Sequence, residues 1–260
     1  MICRELKEAW VMIEQHQHGL IAGQFAKAFN SKDFLESIRK DEAIFAIYEH
    51  DRGWIDLDDT PFLNTSEDTP YTFLDFPIVP KLAFYTKGLD EVQAISPYGA
   101  LLCSLHYEKL LIQAELQHPA IRKYMEQERL RRDHIQEQLG IIDLETEGEL
   151  IYHLSILQLC DDLSLYLCLN EPGSDKEHEH PWWRDGFTVS EKLNLPGGEM
   201  MQANWIDRNQ VKLTPFSFES SLTIELPCRY VSKSDIQKLG LSDAYAQSEE
   251  VRHRFEITAN

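Results

Sequence analysis

The sequence predicts a mainly α protein, a helical bundle over about residues 1–170 with a small β-containing extension over 171–260. Three observations carry this. Apolar residues recur at helical spacing through most of the first 170 residues. Period-two alternation is confined to 213–226 and 253–258. Between these regions, 171–185 is acidic and broken by Pro172 and Gly173.

Taken in order, residues 5–29 place Leu6, Trp10, Ile13, Leu20, Ile21 and Phe25 at helical spacing. A second helix is predicted over 33–50, ending at the pair His50-Asp51. Residues 52–80 show no period and carry prolines, acids and aromatics. A loop of that length in a compact domain is usually functional, so it is expected to form a site wall or lid. Helices resume over 81–95, 98–116, 119–139 and 147–169, with breaks at Ser96-Pro97 and His118-Pro119, because proline disfavours helix in the residue before it. Beyond Trp182-Trp183, Phe216 and Phe218, then Leu222, Ile224 and Leu226, and finally Arg254-Phe-Glu-Ile257 alternate as strands do. A short helix near 233–248 is expected to interrupt them.

Charge narrows the partners. The 260 residues carry 25 basic and 44 acidic side chains, a net charge of −19. Nucleic-acid backbones and anionic membranes are repelled by such a surface, so neither is expected as the main partner. Residues 1–20 hold no continuous apolar run, so no signal peptide or membrane span is expected. Cys3, Cys103, Cys160, Cys168 and Cys228 are odd in number and form no Cys-x-x-Cys. That is the profile of a reducing, cytoplasmic protein.

Four residues are candidates for a metal centre. On a helix, residues three, four and seven apart share a face, which puts His18 in a row with Val11, Ala22, Phe25 and Phe29. The competing reading is a hydrogen-bonded core histidine. Asp161 has Leu154, Leu157, Leu165 and Cys168 as helical neighbours, and a carboxylate among leucines is costly without a cation or several donors. The alternative partner is an arginine such as Arg122. His50-Asp51 closes an apolar helix just before Gly53, where two adjacent side chains can approach one ion together. Two imidazoles and two carboxylates make a nitrogen/oxygen site for a divalent first-row metal. His106, in a row with Leu102, Cys103 and Leu110, is a further ligand, a phosphate donor, a general acid or a satisfied core histidine.

These residues resemble the H…HD…D signature of the HD-domain superfamily of metal-dependent phosphohydrolases. His18 takes the first histidine, His50-Asp51 the pair and Asp161 the distal aspartate. The segments Gln17-His18-Gly-Leu-Ile-Ala-Gly23, His50-Asp-Arg-Gly-Trp54 with Asp58 and Pro61, Ser104-Leu-His106, and Leu159-Cys-Asp-Asp-Leu-Ser-Leu165 resemble an uncharacterised bacterial branch of it, over about residues 5–170. The resemblance implies an all-helical phosphodiesterase-like core holding one or two divalent cations (Mn, Fe, Ni, Co, Zn or Mg). It also implies hydrolysis of phosphomonoesters, nucleotides or phosphodiesters. Only His106 stands where two-metal members carry extra histidines, so one metal is expected. The expected function is hydrolysis of a small phosphorylated molecule, with His18, His50, Asp51 and Asp161 on the metal, Asp51 and His106 catalytic, and Arg52, Trp54 and Asp58 at the substrate. The alternatives are a non-catalytic ligand- or partner-binding module and, with more ligands than these, a di-iron oxygenase.

Overall fold

The computed structural model describes residues 1–114 and 118–259. The chain opens on strands, β1 (Ile2–Glu5) and β2 (Ala9–Ile13), before α1 (Gln15–Ala28), α2 (Lys32–Glu36) and α3 (Lys40–Glu49). A single 3-10 turn, Arg52–Trp54, leads into α4 (Ile55–Asp58) and a two-stranded ribbon, β3 (Leu63–Asn64) and β4 (Thr69–Pro70). Four long helices follow: α5 (Ile78–Ile95), α6 (Pro97–Ala114), α7 (Pro119–Leu139) and α8 (Leu144–Leu169). The expected helix over 98–116 therefore runs to Ala114, its last two positions lying outside the described residues. Both α6 and α7 begin on their prolines, where a missing N–H costs nothing. The chain ends with β5 (Gln202–Asp207), β6 (Gln210–Thr214), β7 (Leu222–Ser232), α9 (Lys233–Leu239), α10 (Leu241–Gln247) and β8 (Glu250–Thr258).

The mainly α class is wrong. Beside the helices stands a six-stranded mixed sheet in the order β1-β2-β7-β8-β6-β5, antiparallel except for the β6–β8 pair. It is no small C-terminal extension, because its β1 and β2 come from the first 13 residues. Ala9 faces Ser232 and Trp10 faces Val231 across the β2–β7 ladder.

The error lies in the helix predicted over 5–29, whose first part is β2. Trp10-Val-Met-Ile13 is a continuous apolar run, which periodicity cannot divide between helix and strand. It is apolar throughout because both faces of β2 are covered. Val11 and Ile13 join the main core, while Trp10 and Met12 pack with Val231, Leu241 and Tyr245 in a separate cluster. The main core continues through Ile224, Leu226, Phe255 and Ile257 on the inner face of the sheet and into α1, α3, α6 and α8.

Close approach of α1 to α3 depends on two glycines. A Cβ on Gly23 would sit 2.3 Å from the Tyr48 ring, and one on Gly19 would meet the Tyr48 carbonyl at 3.3 Å and the His50 ring at 3.6 Å. A stripe bare of side chains on α1 thus brings the end of α3, and His50 with it, against His18. Among the described residues no helix is long and apolar enough to cross a membrane.

Candidate metal centre

Four elements meet at one buried point. His18 comes from the first turns of α1, His50 caps the C-terminus of α3, Asp51 follows it, His106 projects from α6 and Asp161 from α8. Ligand atoms of His18, His50 and Asp51 lie within 4.8 Å of one another, as do those of His50, His106 and Asp161. His18 and His50 are each 1% exposed, Asp51 5% and Asp161 8%.

The hydrogen bonds behind the imidazoles select which nitrogen faces the centre. The Ser164 hydroxyl donates to the Asp161 carbonyl at 2.8 Å, so its oxygen accepts from His18 Nδ1 at 2.7 Å. The proton on His18 Nδ1 leaves Nε2 facing Asp51 Oδ2 at 2.7 Å. His50 Nδ1 donates to the Ile47 carbonyl at 2.8 Å, which leaves its Nε2 turned inward. That nitrogen is buried without a hydrogen-bond partner, 3.4 Å from Asp161 Oδ1 and 3.8 Å from Asp51 Oδ2. Two neutral imidazoles would therefore aim lone pairs at carboxylate oxygens. Such a geometry holds only with a cation, a proton or a metal, between them.

Electrostatics agree with this reading. Burial pushes His50 down, but Asp51 and Asp161 outweigh it and hold its pKa up at about 9. Burial likewise raises the Asp161 carboxyl, and His50, His106 and His18 outweigh that and hold it well below the usual carboxylate range. Asp51 is lowered against burial by His50 and His18. Among the described residues the ion-pair partners of Asp51 and Asp161 are histidines alone, and Arg122 is exposed. His106 is different: burial drives it down to about 4, so it is neutral, with Nε2 3.5 Å from Asp161 Oδ2 and Nδ1 unpartnered. Two histidines with preset tautomers, two ionised carboxylates and an unpartnered inward nitrogen fit a divalent cation.

The three residues expected at the substrate are placed differently from the ligand set. Arg52 donates to Glu91 at 2.6 Å and to Glu49 at 2.9 Å, so its charge is already paired. Trp54 is buried among Phe76 and Tyr85. Asp58 lies behind the centre, where it accepts the Gln15 backbone N–H and lies 2.6 Å from the Met1 amino group. Burial raises its carboxyl to about 6 in spite of that amino group. The segment 52–80 is thus folded into a turn, a short helix and a ribbon rather than an open loop.

Gln15 and Ser164 were not singled out from the sequence. Gln15 donates from Nε2 to Asp51 Oδ2 at 2.9 Å and so ties Asp58 to Asp51. Ser164 is fully buried in the run Leu163-Ser-Leu165, and a hydroxyl in that setting was the available signal. For Gln15→Leu, which keeps the volume and removes the donor, we expect metal affinity to fall by roughly 10–100-fold, as for other groups that orient a ligand. Titration of the metal-free variant with Mn²⁺ measures this, and unchanged affinity would remove Gln15 from the centre.

The model of a family described as a protein of unknown function, DUF3891, matches residues 1–233. The chain belongs to that family. The DUF3891 match runs from β1 through β7 and includes every residue of the centre. No curated protein and no solved structure matches the chain.

A pH dependence follows from His50. Its folded pKa of about 9 lies above the unfolded value of about 6.5. In the metal-free protein the protonated ring therefore contributes stability that is complete below about 6.5 and is lost as pH rises through 9. Metal binding needs the neutral ring, so affinity should rise across this window, with release of about one proton per ion near pH 7.5. Calorimetry in buffers of different ionisation enthalpy counts that proton, and a count of zero would contradict a bound role for His50.

Proposed function

We propose that this protein is a metal-dependent phosphohydrolase that acts on a small phosphorylated substrate. His18, His50, Asp51 and Asp161 would hold one divalent cation. The observation that carries the reading is the inward Nε2 of His50, buried without a partner between two ionised carboxylates. The reaction class comes from the resemblance of these residues to the HD signature. A divalent cation bound there supplies Lewis acidity to a phosphoryl oxygen and lowers the pKa of a bound water toward neutrality.

The chain's own groups have distinct tasks. Asp51 Oδ2, which faces His18 Nε2 and accepts from Gln15, would be the oxygen on the cation, which leaves Oδ1 to accept a proton from the attacking water. Neutral His106 donates a hydrogen bond to the substrate from whichever nitrogen bears its proton, and it is too weakly basic to serve as an imidazolium acid near neutral pH. Burial of the whole set favours a small ester over a polymer, and the charge of −19 disfavours nucleic acid. All five cysteines are free, which supports a cytoplasmic setting.

The test is elemental analysis of purified protein together with a panel of phosphomonoesters and phosphodiesters assayed with Mn²⁺. Wild-type protein is expected to retain about one ion per chain and to release phosphate, and Asp51→Ala to release none. Metal-loaded protein that is inert on the panel, yet binds a small molecule equally well as Asp51→Ala, would indicate a binding module instead.

A further inference from the structure

A divalent ion held by ionised Asp51 and Asp161 and two neutral imidazoles leaves the centre with no net charge, in a chain at −19. Holding a phosphate there takes a further cation. Arg52, next to Asp51, is already paired with Glu49 and Glu91. On the helices that carry the histidines, Lys27 of α1 stands nine residues from His18 and Lys40 of α3 ten from His50, about 13–15 Å along the helix axes. The sequence of α8 has no lysine or arginine. Lys109 of α6 is three residues from His106, about 4.5 Å along the axis.

Lys109 also lies on the side of α6 that faces α8. Its Nζ donates to Gln158 Oε1 at 2.8 Å, and one turn away on the same two helices His106 Nε2 lies 3.5 Å from Asp161 Oδ2. The two cross-links are consecutive, three residues forward on α6 and three back on α8. A helical side chain leans over the turn that precedes it, which for Lys109 is the turn of His106. Asp161 is the most accessible of the four proposed ligands, its side chain 11% exposed against 7% for Asp51 and 1% for each histidine. Lys109 and Gln158 are half-buried, and so open in part to solvent.

This pair has donors to spare. An ammonium carries three N–H groups, and Lys109 uses one, on a neutral amide. Among the described residues no carboxylate pairs with Lys109, and Gln158 Nε2 makes no hydrogen bond. The turn Thr188–Leu193, packed on α8, brings Lys192 close, and burial together with that second charge lowers the Lys109 pKa. An anion bound there relieves the repulsion between the two lysines.

We infer that Lys109, with Gln158 beside it, binds the phosphoryl oxygens that do not lie on the cation, which makes the substrate a phosphomonoester dianion. This rests on the phosphohydrolase reading of the centre. A neutral centre with one or two ammonium groups beside it matches two negative charges, where a diester offers one.

The full-length, Mn²⁺-loaded protein is titrated at pH 8 with inorganic phosphate, a dianion, and with dimethyl phosphate, a monoanion, and hydrolysis of p-nitrophenyl phosphate is scored separately. Wild-type protein should bind phosphate about tenfold or more tighter than dimethyl phosphate. Lys109→Met should weaken phosphate by about tenfold or more, as expected for a lost hydrogen bond to a charged group, and Lys109→Arg should retain most of the binding. Gln158→Glu keeps Lys109 but gives it a carboxylate partner. It should weaken phosphate as Lys109→Met does, without lowering the melting temperature. Mn²⁺ affinity should hold or rise in both, because a positive charge near the ion is removed or neutralised. Phosphate binding equal to wild type in both variants, a parallel loss of Mn²⁺ and phosphate, or a wild type that binds neither anion or both equally would overturn the assignment. Phosphate binding that depends on Lys109 without hydrolysis would instead overturn the phosphohydrolase reading and leave the anion site standing.

Discussion

Replacing Asp161 with alanine should abolish tight divalent-cation binding, with a loss larger than the roughly 10–100-fold expected when a group behind a ligand is removed. Asp161 is the residue that joins the two halves of the centre. One of its oxygens lies 3.4 Å from His50 and 3.7 Å from His18, the other 3.5 Å from His106. Without it, one carboxylate remains to balance a doubly charged ion in a buried site. Alanine also leaves a void in α8, so Asp161→Asn is the necessary companion, since it keeps the shape and removes the charge. Mn²⁺ titration of both variants, with circular dichroism to verify folding, tests the assignment. An Asn variant that binds Mn²⁺ as tightly as wild type would exclude Asp161 as a ligand.

Gly88→Ala should cost about 1–3 kcal/mol of stability, the usual penalty for forcing atoms into a filled space. For a chain of this size that is a fall of roughly 2–10 °C in melting temperature. A Cβ on Gly88 would lie 2.5 Å from the Gly53 backbone nitrogen and 2.7 Å from its Cα, and a Cβ on Gly53 would lie 2.7 Å from the Phe84 carbonyl. Backbone meets backbone there, so no rotamer relieves the clash, and α5 must move off the turn that follows Asp51. Metal affinity should fall along with stability. The control is Gly148→Ala on exposed α8 surface, where a Cβ meets nothing within 4 Å and a small gain is expected from reduced freedom of the unfolded chain. Similar melting temperatures for the two variants would show that the α5 contact is slack.

The sequence alone singled out His18, His50, Asp51 and Asp161 for a local reason. Each is polar where helical spacing or a helix end demands an apolar or capped position, and a charge among leucines needs a partner wherever it comes from. The helix starts at Pro97 and Pro119 were legible for a similar reason, because proline acts on the residues beside it. Gln15 was hidden inside an over-long helix, since the apolar run that precedes it belongs to a strand. Asp162 shares its helical row with the polar Ser155 and Gln158, yet the Trp183 indole donates to it at 3.0 Å, and burial, with Asp161 nearby, raises that carboxyl to about 7.

What the sequence determined by itself is therefore local: where helices α5 to α8 run, and which side chains are too polar for their surroundings. The sheet was decided only by tertiary structure. β2 is a strand because β7, more than two hundred residues away, supplies its hydrogen bonds, and no period within residues 9–13 encodes that partner. The centre follows the same rule. Gly19 and Gly23 bring α3 onto α1, Ser164 and Ile47 turn two imidazoles inward, and the spacing between ligands is set by packing between elements distant in the chain.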